Sequence, residues 1–174
     1  MKRKVILRAD GSQTIGMGHF IRTLALAEML KDDFYLVFAT REPTEYQLKE
    51  ISRICDESIS LPKDNSHFDV FLTYLQGNEI VVLDNYYFDT NYQRKIREKG
   101  CKLVCIDDMH DKHYVADVVI NHAEGIKESD FSIDENTKLC LGLDYALLRS
   151  PFFIKDDSNI KSKDFQILIG IGGA

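Results

Sequence analysis

The sequence contains no tryptophan, and only 3 prolines and 10 glycines among its 174 residues. So little Pro and Gly excludes a chain dominated by low-complexity linkers or a collagen-like repeat. Long apolar runs are also lacking at the start. The basic opening Met1-Lys2-Arg3-Lys4 leads into Val5-Ile6-Leu7, and Arg8 breaks the run. Three apolar residues are too few for a signal-peptide core or a membrane span, so a cytoplasmic protein with no membrane partner is expected. There is no excess of positive charge. With 22 Lys and Arg against 28 Asp and Glu, the net charge is −6. This argues against a general nucleic-acid binder, which needs a basic face to meet phosphates, but leaves room for a local basic pocket for one nucleotide. No Cys-x-x-Cys pair occurs. Cys101 and Cys105 lie four apart in an apolar stretch and would share one side of a strand; with Cys55 and Cys140 they read as buried reduced thiols rather than a metal or redox site.

What is present is the balance of an ordinary globular protein, 44% hydrophobic and 29% charged, at a length of about one domain. Val5–Leu7 is apolar without alternation, as in a strand buried on both faces of a parallel sheet. Phe20, Leu24, Ala27 and Leu30 fall at helical spacing and predict a helix from about His19 to Lys31. Further strands are predicted at 34–39, 58–61, 80–83, 102–106 and 117–121, with shorter pieces at 139–141 and 145–148. Helices are predicted at 43–53 with Pro43 in the first turn, at 68–75, and at 91–98 with Gly100 as the stop. This alternation implies βαβ units and a Rossmann-like α/β fold with a mainly parallel sheet. Three strands end in polar residues (Arg8-Ala9-Asp10, Asp84-Asn85-Tyr86 and Asp107-Asp108), which would converge at the carboxyl edge where such sheets bind ligands.

Residues 154–164 are polar and mixed in charge, as in a linker. Residues 165–171 then read as a new apolar strand, and Gly172-Gly173 as the phosphate-binding turn that normally follows one. The expected organisation is a Rossmann-like domain over 1–153, a linker over 154–164, and at 165–174 the opening strand and glycine turn of a second domain otherwise missing from the chain.

The sharpest feature is Ile15-Gly16-Met17-Gly18-His19 at the head of the first helix. Two glycines let the backbone turn tightly and approach a ligand closely. A helix start favours an anion and disfavours an imidazolium, so His19 is placed to act as a neutral general base. A glycine turn beside a solvated histidine reads equally well from spacing alone. The third glycine of a dinucleotide fingerprint is replaced by Ile21, which argues against a nicotinamide cofactor. Asp10 and Asp84 would orient a sugar hydroxyl or a water, or simply cap turns. Tyr86 would hydrogen-bond or stack on a ring. Arg8 and Arg22 would meet an anion, with a solvated arginine as the alternative for Arg22. The run Asp107-Asp108-Met109-His110-Asp111-Lys112-His113 holds ligand-type residues, but its spacing matches no established metal site, and no metal is expected.

Together, Arg8-Ala9-Asp10-Gly11-Ser12, Ile15-Gly16-Met17-Gly18-His19 and Arg22-Thr23-Leu24-Ala25-Leu26-Ala27 resemble the opening of the UDP-sugar hydrolases of pseudaminic acid biosynthesis. Those enzymes act on UDP-2,4-diacetamido-2,4,6-trideoxy-β-L-altropyranose, and their relatives include spore-coat polysaccharide biosynthesis proteins. Further matches are Val82–Tyr86, Ile106–Asp108, Asp117–Asn121, Tyr145–Arg149 and Gly172-Gly173. The resemblance implies a glycosyltransferase-B-like architecture of two Rossmann-like domains, of which this chain is the amino-terminal one. It implies metal-independent, cofactor-free hydrolysis that releases UDP from the anomeric carbon. His19 is then the base. Asp10, Gly16, Gly18, Arg22, Asp84 and Tyr86 bind substrate, and Gly172 and Gly173 touch the nucleotide. Position 85 is Asn where relatives often carry His. With the second domain supplying most of the nucleotide site, the chain alone is expected to bind UDP poorly and to be nearly or fully inactive. Two alternatives share these residues: the acceptor-side domain of a glycosyltransferase, and a non-catalytic binding subunit.

Overall fold

The computed structural model describes residues 2–153. The linker at 154–164, the strand at 165–171 and the candidate nucleotide contacts Gly172 and Gly173 lie outside the described residues.

Seven strands form one sheet: β1 (Arg3–Ala9), β2 (Phe34–Arg41), β3 (Glu57–Leu61), β4 (Ile80–Asp84), β5 (Lys102–Ile106), β7 (Val118–Asn121) and β9 (Lys138–Leu141). The order is β3-β2-β1-β4-β5-β7-β9, and every neighbouring pair is parallel. Two-residue strands β6 (His113–Tyr114) and β8 (Ser132–Ile133) pair separately. Helices α1 (Gly18–Leu30), α2 (Glu45–Ser52), α3 (His67–Thr73) and α4 (Thr90–Glu98) connect the first five strands. This is a Rossmann-like α/β fold.

The lack of alternation in the strands follows from burial on both faces. Val5, Leu7 and Ala9 of β1 join Leu36, Phe38 and Val82 under Phe20, Leu24 and Ala27 of α1 and Ile51 of α2. Ile6, pointing the other way, joins Val37, Val81, Leu83 and Leu103 under Phe71 of α3 and Tyr92 and Ile96 of α4. Successive residues of one strand thus feed two apolar layers, as the period of two requires.

The chain runs outward from β1 to β2 and β3, then returns to place β4 on the other side of β1. The crevice between the ends of β1 and β4 is the topological switch point, the usual ligand site of open α/β sheets. The register pairs Ala9 with Asp84, so the two strands end side by side there.

Two predicted elements are corrected. Pro43 stands outside α2, because Thr44 is the N-cap and makes a reciprocal capping box with Gln47. The piece at 145–148 is not a strand: Leu143–Tyr145 is a 3-10 turn entered through Gly142 at φ 93°. The small β6–β8 pair was not foreseen, since two-residue strands carry no period to read. Gly100 does stop α4, at φ 92°.

Candidate functional site

The loop between β1 and α1 is shaped by its own short polar side chains. The Ser12 hydroxyl accepts from the backbone N–H groups of Thr14 and Ile15, both at 3.2 Å, and Ser12 bridges back to Gly16. Gly16 has φ 77°, a conformation glycine adopts without penalty. Helix α1 then begins at Gly18, with Met17 as an N-cap that supplies no side-chain hydrogen bond. A Cβ built on Gly18 would meet nothing within 4 Å among the described residues, so their packing does not demand glycine there. At Gly11, by contrast, a Cβ would sit 2.8 Å from that of Phe20.

His19, one residue into α1, is buried and turned toward the end of β4. Its Nδ1 lies 2.8 Å from Asp84 Oδ1. Arg22, on the next turn of the helix, grips the same carboxylate with two nitrogens: Nε donates to Oδ2 at 2.7 Å and an η nitrogen to Oδ1 at 2.6 Å. The Thr23 hydroxyl donates to Oδ2 at 2.8 Å. Asp84 is fully buried with four donors on it. Burial alone would raise its pKa, but the hydrogen bonds from Arg22 and His19 and the charge of Arg22 outweigh it and hold the carboxyl below its usual range.

This ionised carboxylate decides the tautomer of His19. Asp84 can only accept, so Nδ1 must carry the proton that spans the 2.8 Å contact. The Arg22 η nitrogen 3.1 Å from Nδ1 is then a close neighbour and not a second donor to it. Neutral His19 is therefore left with a bare Nε2, free to take a proton. A buried carboxylate fixing one imidazole nitrogen while the other does the chemistry is the arrangement of catalytic His–Asp pairs.

Tyr86 stands over this pair. Its ring meets that of His19 edge-on, with centroids 4.5 Å apart at 82°, while the residue remains 56% exposed. Its hydroxyl donates to Asp108 Oδ2 at 3.2 Å, and Arg22 donates to the same oxygen at 2.9 Å. The structure thus brings together His19, Arg22, Asp84 and Tyr86 from α1, β4 and the loop after it. It adds Asp108, expected at this edge only as a polar strand end, and Thr23, which was not among the candidates. Thr23 was within reach, since it is four residues after His19 on the same helix face.

Three assignments change. Arg22 is neither solvated nor open to an anion: its guanidinium is taken by Asp84 and Asp108, and this raises its pKa despite burial. Asp10 does not face the His19 pair. Its carboxylate accepts from Arg8, Arg41, the Arg41 backbone N–H and the hydroxyls of Thr40 and Tyr87, leaving no oxygen for a sugar. Arg8, fully buried, pairs with Asp10 and packs against His67 and the ring of Phe88, so its guanidinium is closed to an anion from solvent. The Asp107–His113 run is tied internally. Asp107 accepts from the backbones of Met109 and His110 and from Tyr114 and Asn121. Among the described residues, no three His, Cys, Asp or Glu side chains converge as metal ligands. All four cysteines are free and buried. No helix among the described residues is long and apolar enough to cross a membrane.

No family model matches the chain. Three curated relatives do. The UDP-2,4-diacetamido-2,4,6-trideoxy-beta-L-altropyranose hydrolase of Campylobacter jejuni is 27% identical over 98% of this chain and 60% of its own length. The spore coat polysaccharide biosynthesis protein SpsG of Bacillus subtilis is 29% identical over 95% of this chain and 49% of its own. These are the names to which the opening motif pointed. An uncharacterised protein of Methanocaldococcus jannaschii, MJ1062, is 28% identical over 98% of this chain and 37% of its own length. The chain therefore spans between 37% and 60% of the length of these relatives.

Proposed function

We propose that this chain is the histidine-bearing part of a nucleotide-sugar hydrolase that releases UDP from a UDP-linked diacetamido-trideoxy sugar, in polysaccharide or nonulosonic acid biosynthesis. The observation that carries the reading is the His19–Asp84 hydrogen bond, braced by Arg22 and buried at the switch point of the sheet. The name of the Campylobacter relative supplies the substrate class.

In this mechanism a water attacks the anomeric carbon and its proton passes to Nε2 of His19. The bond from that carbon to the phosphate oxygen breaks, and UDP leaves with the electron pair. Asp84 keeps Nδ1–H in place and stabilises the imidazolium that forms. Asp84 is a positioning residue here, since its four hydrogen bonds leave nothing to offer the sugar. Tyr86 lines the sugar side. Gly16 and Gly18 let the substrate approach the backbone, and the open space in front of Gly18 supports this. Neither a metal nor a cofactor takes part. A second Rossmann-like domain, in a glycosyltransferase-B-like arrangement, would close the site and bind most of the nucleotide.

The test follows UDP release from the diacetamido sugar nucleotide by the whole protein, with and without candidate acceptor sugars. UDP and the free sugar should form at the same rate in both. Release that requires an acceptor would make the protein a transferase, and UDP binding without release would make it a binding module.

A further inference from the structure

Behind Tyr86 lie two polar groups that the mechanism above does not use. The Asn85 Nδ2 and Gln93 Nε2 amides are buried and have no hydrogen-bond partner among the described residues. Gln93, on α4, is 1% exposed. Their orientation is fixed by the backbone. The Tyr86 N–H donates to Asn85 Oδ1 at 2.9 Å, and the Val115 N–H donates to Gln93 Oε1 at 3.1 Å. A backbone N–H can only donate, so in both side chains the oxygen is identified and the NH₂ faces the other way. Unpaired buried donors are rare in folded proteins and need an explanation.

Both residues line the same cavity, about 10 Å³ in volume, which is room for roughly a single oxygen atom. Tyr86, Lys112 and Asp108 also line it. Tyr86 is held there at its two ends: its hydroxyl by Asp108 at 3.2 Å, and its carbonyl by Lys112 Nζ at 3.0 Å. All three residues reach the surface, so this cover is the movable wall. Leu83, Phe88 and Ile106 make the apolar part of the wall. The cavity does not suit an anion. Asp107 and Asp108 face it, and the nearby cations already have partners, Arg22 in Asp84 and Asp108 and Lys112 in Asp111. Donors without charge call for a neutral acceptor oxygen.

We propose that Asn85 and Gln93 form a subsite for the carbonyl oxygen of an acetamido group on the bound sugar, reached when Tyr86 swings outward. The sugar's identity rests on the hydrolase reading; the acceptor chemistry does not. Because the Tyr86 ring also lies against His19, filling this subsite would uncover the histidine.

The test compares UDP-N-acetylglucosamine with UDP-glucose, which differ at one acetamido group, by NMR of the side-chain amides in ¹⁵N-labelled protein. Both NH₂ signals should shift with the first ligand and stay fixed with the second. Gln93→Met is uncharged and of similar length, so it removes the donor, together with the oxygen that meets the Val115 N–H, without placing a charge beside Asp107 and Asp108. It should weaken binding of the acetamido ligand about tenfold and leave UDP-glucose unaffected. Equal shifts with both ligands, no shift with either, or an equal loss of both affinities in the variant would overturn the subsite. A His19→Asn protein separates the two readings. If it hydrolyses at the normal rate while the amides still respond to ligand, the hydrolase mechanism falls and the subsite stands. If turnover is lost while the amides never respond, the subsite alone falls.

Discussion

At the scale of single residues, Asp84 is where removing one group should be felt most. Its carboxylate answers two charged or polar donors of α1 besides His19, all of them shielded from water. Asp84→Asn replaces one acceptor oxygen by a donor that faces other donors. Unfolding in urea should show a loss of about 1–3 kcal/mol, the usual cost of leaving a buried donor unpaired, since Arg22 keeps Asp108. His67 makes a different prediction. Burial first, and then the cations Arg8 and Arg41, push its pKa down to about 4 from the ordinary 6.5. The folded protein therefore resists protonating His67, while the unfolded chain accepts the proton below about pH 6.5. The resulting stability is whole above that pH and is lost as pH falls toward 4, by about 3 kcal/mol in all. Denaturant midpoints measured between pH 7 and 4 should fall, and His67→Phe should flatten most of that slope. Neither effect could be read from the sequence. Asp84 and His67 are 65 and 59 residues from the partners that tune them, and only the fold supplies those distances. The identity of His19 as a candidate base was legible, because its glycines, helix start and position travel together in a few residues.

At the scale of elements, the glycines separate into those the fold needs and those a ligand would need. Gly77 has φ 96°, and a Cβ there would lie 2.3 Å from the carbonyl oxygen of Lys99. Gly77→Ala should cost at least about 2 kcal/mol in thermal or urea unfolding, combining backbone strain with a backbone clash. Gly18 meets no such obstacle, and alanine is the better helix former. Gly18→Ala should leave stability unchanged to within about 0.5 kcal/mol. Its cost should appear in the binding of UDP-sugar, as at least a tenfold rise in Kd measured by calorimetry. Equal binding would mean that no ligand approaches this backbone. Element type was legible where apolar residues kept a helical period, as in α1, or ran on unbroken over a strand's length, as in β2. The start of α2 was misplaced because Pro43 is a strong signal and the Thr44–Gln47 capping box is a quieter one. The piece at 145–148 misleads for a related reason: a few apolar residues have no period to distinguish a strand from the end of a turn.

For the molecule as a whole, the sequence order of strands and helices was enough to expect a parallel sheet, and polar strand ends were enough to place the site at one edge. What the order of elements could not say is which strand ends share a crevice. The reversal between β1 and β4 sets Asp84 against the first helix, while the Arg8–Asp10–Arg41–Tyr87 cluster seals the adjoining end of β1. Asp10 and Asp84 look alike in sequence, each closing a buried strand, yet one is consumed by two arginines and the other orients a histidine. The account therefore turns on the protonation pattern of a single imidazole. The most direct measurement is the pair of ¹⁵N resonances of His19 in its neutral form, in protein labelled at the histidine ring. The proton should be found on Nδ1, bound to Asp84, with Nε2 showing the shift of a bare nitrogen. A neutral ring carrying its proton on Nε2 would leave bare only Nδ1, which is turned to Asp84 and not to the substrate side, and would contradict the mechanism.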